Sequence, residues 1–407
     1  MSQQHYDLII AGGGIVGASL ACALMHANLR IALIEAVPGK ADTQPSYDDR
    51  GLALSMSSRH ILQQLELWPQ VAATATAIRQ IHVSDRGHFG CVRLHASDLQ
   101  VDALGHVVIA RELGQALLQK LSQAGTIEIL SPAEVADIKV AYNEVTITTT
   151  GPVNAGKLSC RLLVVADGAN SKLRRQLGIT TQIKDYQQTA LVTNVTLSRP
   201  HANTAYERFT ETGPIALLPL AGPHGVVVYT VPTATAESYL QMESPDMLEL
   251  LWQRFGRRLG RFSKMGTIKT YPLQLIVAEQ QVLSRIVLLG NAAHTIHPNG
   301  AQGFNLCLRD VAALAEHLQQ AIREDTDIGD SGLLNAYIAE RQQDQQRVTQ
   351  FSDSLTRLFY NQQVLKVMLR NAGMLLTDII PYLKQELIRQ GLGISGRQPA
   401  IVSGTWD

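Results

Sequence analysis

The sequence predicts an α/β chain in three parts: a parallel-sheet domain assembled from separated pieces, an antiparallel-sheet domain inserted between them, and a helical C-terminal region. Three observations predict it. Continuous apolar runs at 6–11, 30–36, 161–167 and 285–291 read as parallel strands buried on both faces. Runs of another kind, TALVTNVTL (189–197), PIALLPL (214–220) and GVVVYTVP (225–232), mark β-rich structure in the middle of the chain. Beyond about residue 333 the pattern is almost wholly helical.

These changes of character place the first domain at 1–80, 106–182 and 280–330. The β-rich domain takes 81–105 and 183–279, and the helical region 331–407. In order, the strand YDLIIA (6–11) runs into glycines, then an Ala/Leu-rich helix to about Asn28, then the strand RIALIEA (30–36), which makes a βαβ unit. Residues 37–50, rich in Pro, Gly and Asp, read as an irregular loop. Helices are expected at 55–70, 111–124 and 303–322.

Composition excludes several classes. At 407 residues and 45% hydrophobic, the chain can bury a large core. Lys plus Arg equals Asp plus Glu, 35 each, so no net field gathers nucleic acid or anionic lipid. Cys22, Cys91, Cys160 and Cys307 are far apart with no CxxC pair, so no metal site is expected and each reads as a buried, reduced thiol. The first apolar run lacks the basic flank of a signal peptide, and no stretch of about eighteen apolar residues occurs elsewhere. The expectation is a cytoplasmic protein.

GGGIVG places Gly12, Gly14 and Gly17 at the positions of G-x-G-x-x-G, after a buried strand and at the start of a helix. Gly12 permits the tight turn, Gly14 lets backbone approach a pyrophosphate, and Gly17 lets helix pack on strand, in a Rossmann-type unit. Glu35, ending the next strand, supplies a carboxylate for the two hydroxyls of a ribose. A dinucleotide is therefore expected. VVADGANS (164–171) and VLLGNAAH (287–294) are two more strands ending in polar residues, and HPNGAQGFNLCLRD (297–310) is a Gly-rich loop opening a long helix. Three strand ends converging on one edge suit an extended cofactor, FAD, better than NAD alone.

These segments resemble the flavoprotein aromatic hydroxylases, the class A monooxygenases that include p-hydroxybenzoate hydroxylase, over nearly the whole chain. The resemblance implies that fold, with Asp167 and Gly168 of VVADGANS serving FAD and the passing NADPH. Asn291 stands where the family usually has an aspartate for the ribityl chain, and its amide oxygen can still accept. Pro298, Gly300, Gln302, Gly303 and Asn305 fall in the loop and helix start that face the flavin, where this chain reads Asn299-Gly300-Ala301-Gln302-Gly303 in place of the usual Ala-Gly-Gln-Gly. Arg50 of DDRGLALS (48–55) matches the arginine that lies over the cofactor, and Arg111 a phosphate or ribose contact.

Within that class, HVSDRGHFG (82–90), YERFTETGPIALLPL (206–220) and RQQDQQ…FSDSLTRLF (341–359) resemble the ubiquinone-biosynthesis hydroxylases. The implied reaction hydroxylates a prenylated phenol of the 2-octaprenyl-6-methoxyphenol kind through a C4a-hydroperoxyflavin, with NAD(P)H and O₂ as co-substrates. Hydroxylation at another ring position, an FAD oxidoreductase without oxygen insertion, and a silent flavin-holding subunit remain open beside it. Leu217, Leu218 and Pro219 of the run at 214–220 are expected to line an apolar substrate pocket, because a carboxylate there would be desolvated without a partner. His294 and His297 flank the flavin loop, and no catalytic residue is assigned. The apolar helical stretch at 361–383 packs on the body or on other ubiquinone-biosynthesis proteins, or touches the inner face of a membrane.

Overall fold

A computed structural model of the chain describes residues 4–38, 48–152, 155–360 and 363–391. Most of the loop expected at 37–50 and the end of the helical region lie outside the described residues.

Five parallel strands make the main run of an eight-stranded first sheet, in the order Ile286–Leu288, Gly156–Val165, Gln4–Ala11, Ile31–Ile34 and Ile127–Leu130. Both faces are buried, as the continuous apolar runs require. Leu8 and Ile10 join one core cluster with the helices Ile15–Ala23 and Gln302–Arg323, while Ile9 and Ala11 join the cluster on the other face. The strand Ile127–Leu130 and the antiparallel pair Glu134–Val140 and Val145–Thr150 were not expected. Their short, half-exposed patterns give little periodic signal. Helix Ile15–Ala23 ends earlier than Asn28, which takes a left-handed φ of 47° in the turn to the next strand. The run at 285–291 is strand only over Ile286–Leu288, and Asn291 lies in a short 3₁₀ turn.

The second sheet has nine strands and runs through Lys269–Ala278, Thr181–Leu197, His224–Pro232, Gly213–Pro219, Thr204–Thr210, Gln80–Asp85 and Cys91–His95. It is antiparallel except at one pair: Thr204–Thr210 lies parallel to Gln80–Asp85, which arrives from a much earlier excursion of the chain. One face packs on helix Ser244–Phe255 through Leu217, Tyr229, Met247 and Leu251. The other face turns to the first domain across a small sheet of Gly51–Leu54, Thr76–Ile78 and Gly105–Ile109.

Three helices follow, Ser331–Tyr360, Val364–Ile379 and Pro381–Gly391. Among the described residues, no helix is long and apolar enough to cross a membrane. Cys22, Cys160 and Cys307 are buried, whereas Cys91 is only half-buried because it sits on the outermost strand of the second sheet.

Candidate active site

The glycine turn sits where the strands Gln4–Ala11, Gly156–Val165 and Ile31–Ile34 end together. Gly12 has a φ of 115°, and a Cβ there would collide with the Ala166 carbonyl; one on Gly17 would collide with the Gly12 carbonyl. Both are steric requirements for glycine. Gly14 is the N-cap of Ile15–Ala23 and supplies no side-chain cap, so the first-turn N–H groups face outward with the positive end of the helix dipole. Glu35 turns back to this turn. Its Oε2 accepts the Gly13 N–H at 2.7 Å and its Oε1 the Val37 N–H at 2.9 Å, leaving acceptor capacity on both oxygens.

At the next strand end, Asp167 Oδ2 accepts the Leu173 N–H at 3.2 Å, while Oδ1 is buried without a protein partner. Gly168 follows with a φ of 87°, and Ser171 caps helix Lys172–Gln176 by accepting from Arg174 N–H. Asn291 is exposed, and its amide oxygen takes the Cys307 Sγ–H at 3.8 Å.

In the Gly-rich loop, Gly300 (φ 69°) and Ala301 (φ 53°) are both left-handed. The second is the position where the usual motif has glycine, so the alanine keeps a conformation that suits it poorly. Gln302 Nε2 donates to the Gly300 and Gly391 carbonyls, and its Oε1 is buried and unpartnered. Gly303, second in the helix, lies beside Ile296. Asn305 is held by its side chain. Its Oδ1 accepts Ser55 N–H and Ser58 Oγ–H, and its Nδ2 donates to the Ala53 and Ala301 carbonyls. The side-chain amide is used up inside the protein, so it ties the loop to the segment at 53–58 and leaves any cofactor contact at Asn305 to the backbone.

The arginines separate. Arg50 bonds to Asp48 through Nε at 2.7 Å and lies over the Tyr271 ring at 4.9 Å, at the junction of the two sheets. Burial would raise the Asp48 carboxyl, but Arg50 and the Tyr271 hydroxyl hold it below its ordinary value. Arg111 pairs with Asp49 at the surface.

Between the second sheet and the loop lies a cavity of about 260 Å³, bounded by Gly51–Ala53, Ile78, Ile81, Ala216, Leu218, Val228, Pro298–Ala301 and Phe304. The three predicted pocket residues do not act together. Side chains alternate along the strand Gly213–Pro219, so Pro214, Ala216 and Leu218 face the cavity. Leu217, fully buried, packs behind the sheet against Tyr229 and Leu251, and Pro219 is buried on that same face.

Opposite the loop stands a residue not singled out from sequence. Glu207 pairs in register with Ala216 and Val83, and is the one carboxylate in the described cavity lining. It lies deep in the molecule, yet the surface it keeps is cavity wall. Burial pushes its carboxyl up to about 7, against the pull of the Gly300 N–H. The signal was a carboxylate inside YERFT, on a strand whose other cavity-facing residues are apolar. His297, in contrast, is fully buried, accepts the Asn299 N–H at Nδ1, and meets the Tyr186 ring edge-on at 5.0 Å. Burial pushes it down to about 4. His294 is held by Asp310 at 2.5 Å in a buried cluster.

Residues 5–352 match the family described as FAD binding domain. Ubiquinone hydroxylase UbiL of Rhodospirillum rubrum is 32% identical over 388 residues, covering 95% of this chain and 89% of its own. The chain belongs to the FAD-dependent hydroxylase family of ubiquinone biosynthesis. It is also 34% identical over 405 residues to the uncharacterised protein slr1300 of Synechocystis, covering 99% of this chain and 97% of that one. The crystal structure of p-nitrophenol 4-monooxygenase PnpA from Pseudomonas putida shares the fold, with a TM-score of 0.82 at 18% identity over 97% of this chain and 100% of its own.

The hydroxylase is a flavoprotein aromatic monooxygenase, and its residues fit FAD. The uncapped helix after Gly14, the acceptor capacity of Glu35 and the orphaned Asp167 Oδ1 lie along one edge of the parallel sheet. Each lacks what an extended dinucleotide carries: phosphate oxygens for the N–H groups and hydroxyls for the carboxylates.

Proposed function

We propose that this hydroxylase oxygenates the ring of a neutral phenol bearing an apolar prenyl tail, of the 2-octaprenyl-6-methoxyphenol kind, with NAD(P)H and O₂. The lining of the cavity carries the reading. It is apolar, with no lysine, arginine or histidine among its described residues, and its one carboxylate repels anions. A benzoate would be desolvated, unpaired and set against Glu207; a neutral phenol meets none of these costs.

Size adds a second argument. About 260 Å³ is at the low end for a small-molecule pocket, enough for a substituted ring but not for a long prenyl chain. The tail must leave the cavity. Ile81 lines the cavity and also packs against the cluster of Val92, Leu94 and Met374 beneath the C-terminal helices. Beyond that cluster, Leu365, Met368, Leu369, Leu376 and Ile379 are exposed along helix Val364–Ile379 at helical spacing. This stripe is suited to rest on lipid, where such a substrate dissolves.

Bound FAD supplies the electron transfer and oxygen activation. The chain supplies position and dryness. Gly12, Gly14, Gly17, Glu35, Asp167 and Gly168 would hold the cofactor's nucleotide and ribityl parts. Helix Gln302–Arg323 starts without a side-chain cap and offers N–H groups and positive charge to an electron-rich ring edge. The apolar walls keep water from the reacting carbon. Only the G-x-G-x-x-G at 12–17 follows an apolar strand within a βαβ unit, so the nicotinamide donor visits without a second such unit of its own.

The test assays purified holoenzyme with NADH or NADPH on a short-chain prenylphenol and on p-hydroxybenzoate, with products identified by mass spectrometry. Hydroxylated prenylphenol with untouched benzoate is the expected result. Good turnover of benzoate alone would overturn the substrate class, and NAD(P)H oxidation with no oxygenated product would point to an oxidoreductase.

A further inference from the structure

We propose that Glu207 is a catalytic base of this hydroxylase: it accepts the hydrogen of the substrate's phenolic hydroxyl and takes that proton. The inference rests on the phenol reading above and names the group that handles the phenol oxygen. In the step, the phenol O–H bond breaks, its electron pair stays on the oxygen, and the proton forms an O–H bond on the Glu207 carboxylate. The phenolate ring is then richer in electrons for the oxygen transfer that FAD supports.

The placement is what carries this. Side chains on Thr204–Thr210 alternate, and Glu207 shares its face with Ala216 of the adjacent strand and Val228 of the strand beyond it. Of its chain neighbours, Tyr206 borders the cavity while its ring meets His82 and Phe255, and Arg208 donates to the Phe255 carbonyl. Across the cavity the loop presents Pro298–Ala301, whose Gly300 N–H reaches the carboxylate. Val83 flanks it on the third strand. No charged side chain faces it from any element around the described cavity, so no cation explains a carboxylate at this position. A residue serving only the fold would be apolar, as those around it are. Burial also brings its carboxyl to about 7, where it can receive a proton and release it again at neutral pH.

The test uses FAD-loaded wild type and Glu207→Gln, each checked for its flavin spectrum. Two prenylphenols are compared, one with ring fluorines that make its hydroxyl more acidic. Wild type should show kcat/KM rising with pH through a limb near 7 that stays put when the phenol is changed. Glu207→Gln should lose that limb and fall about 100-fold or more with the ordinary phenol, and the fluorinated phenol should recover most of the loss. A second readout needs no turnover. Calorimetric binding of 4-methoxyphenol, which ionises at about pH 10 like an ordinary phenol, to the oxidised holoenzyme in buffers of different ionisation enthalpy should show proton exchange centred near pH 7 in wild type and none there in the variant.

A variant that keeps both the rate and the limb overturns the proposal. So does equal loss on both phenols, which marks a structural role. If the variant fails to retain FAD, the wild-type profiles decide: a limb that moves with the acidity of the phenol excludes Glu207 as its source. A wild type that hydroxylates no phenol defeats the functional reading itself, which is a different result from any of these.

Discussion

Asp85 and Arg370, 285 residues apart in the chain, form a buried ion pair at 2.5 Å that fastens helix Val364–Ile379 to the second sheet. Asn371 Nδ2 donates to the same Asp85 oxygen at 3.0 Å, and its Oδ1 accepts the Gly90 N–H at 2.8 Å. A Cβ on Gly90 would strike that amide. The segment HVSDRGHFG, the most distinctive string in the sequence, is thus a clasp for the C-terminal helices rather than a wall of the cavity. Arg370→Ala should cost about 3 kcal/mol locally by leaving the buried Asp85 with only Asn371 and the part-exposed His88 beside it. Limited proteolysis should then cut within 363–391 while the flavin spectrum persists; unchanged protection would show that the clasp holds nothing.

Leu217 and Leu218 are neighbours on opposite faces and should respond in opposite ways. Leu217→Ala opens a cavity in the core behind the sheet and should cost about 2–5 kcal/mol in denaturant unfolding. Leu218→Ala should leave stability nearly unchanged and raise KM for the phenol. Equal loss of stability in both would place Leu218 in the core with Leu217.

Ala301 holds a φ of 53°, a conformation glycine adopts freely. Ala301→Gly should relieve about 1 kcal/mol of strain, partly offset by the greater freedom of glycine when unfolded. Chemical denaturation should show equal or higher stability. A clear loss would mean that the alanine methyl packs usefully.

Acid stability should depend on Asp310, which lies between His294 Nε2 at 2.5 Å and Arg341 Nε at 2.6 Å. Burial would raise its carboxyl, but the Arg341 charge and then His294 outweigh it and hold it at about 2, below the ordinary 3.8. A folded-state value lowered in this way stabilises above the unfolded value and loses that contribution as pH falls from about 4 through 2. The expected loss over that window is of order 2 kcal/mol. Urea unfolding between pH 5 and 2 should show it in wild type and a flatter dependence in Asp310→Asn.

The exposed stripe on Val364–Ile379 predicts lipid contact. Replacing Leu365, Met368, Leu369 and Leu376 by Gln removes most of its apolar surface. Flotation with liposomes should fall sharply while activity on a short-chain, water-soluble phenol is kept. Equal flotation of variant and wild type would exclude the stripe.

The cofactor frame was legible in the residues because its requirements are local. The turn at Gly12, the close packing at Gly17 and the carboxylate at Glu35 follow one another within a single βαβ unit, and each is a steric or polar need that a short segment can express. The tie made by the Asn305 side chain was not legible, because its partners Ser55, Ser58 and Ala53 come from a distant segment. Leu217 and Pro219 misled because an apolar run does not declare which face is which when both faces are covered.

The sequence alone determined the parallel nucleotide-binding sheet, the glycine turn and the apolar character of the strand at 214–220, since periodicity and backbone conformation act over a few residues. Tertiary structure alone decided that Leu218 and not Leu217 meets the cavity, that Asp85 reaches Arg370, and that Glu207 faces the Gly300 loop. Those outcomes depend on register and on which sheet face is covered, and a one-residue slip would reverse them. Contacts between segments a hundred residues or more apart are fixed only when the sheets close on each other.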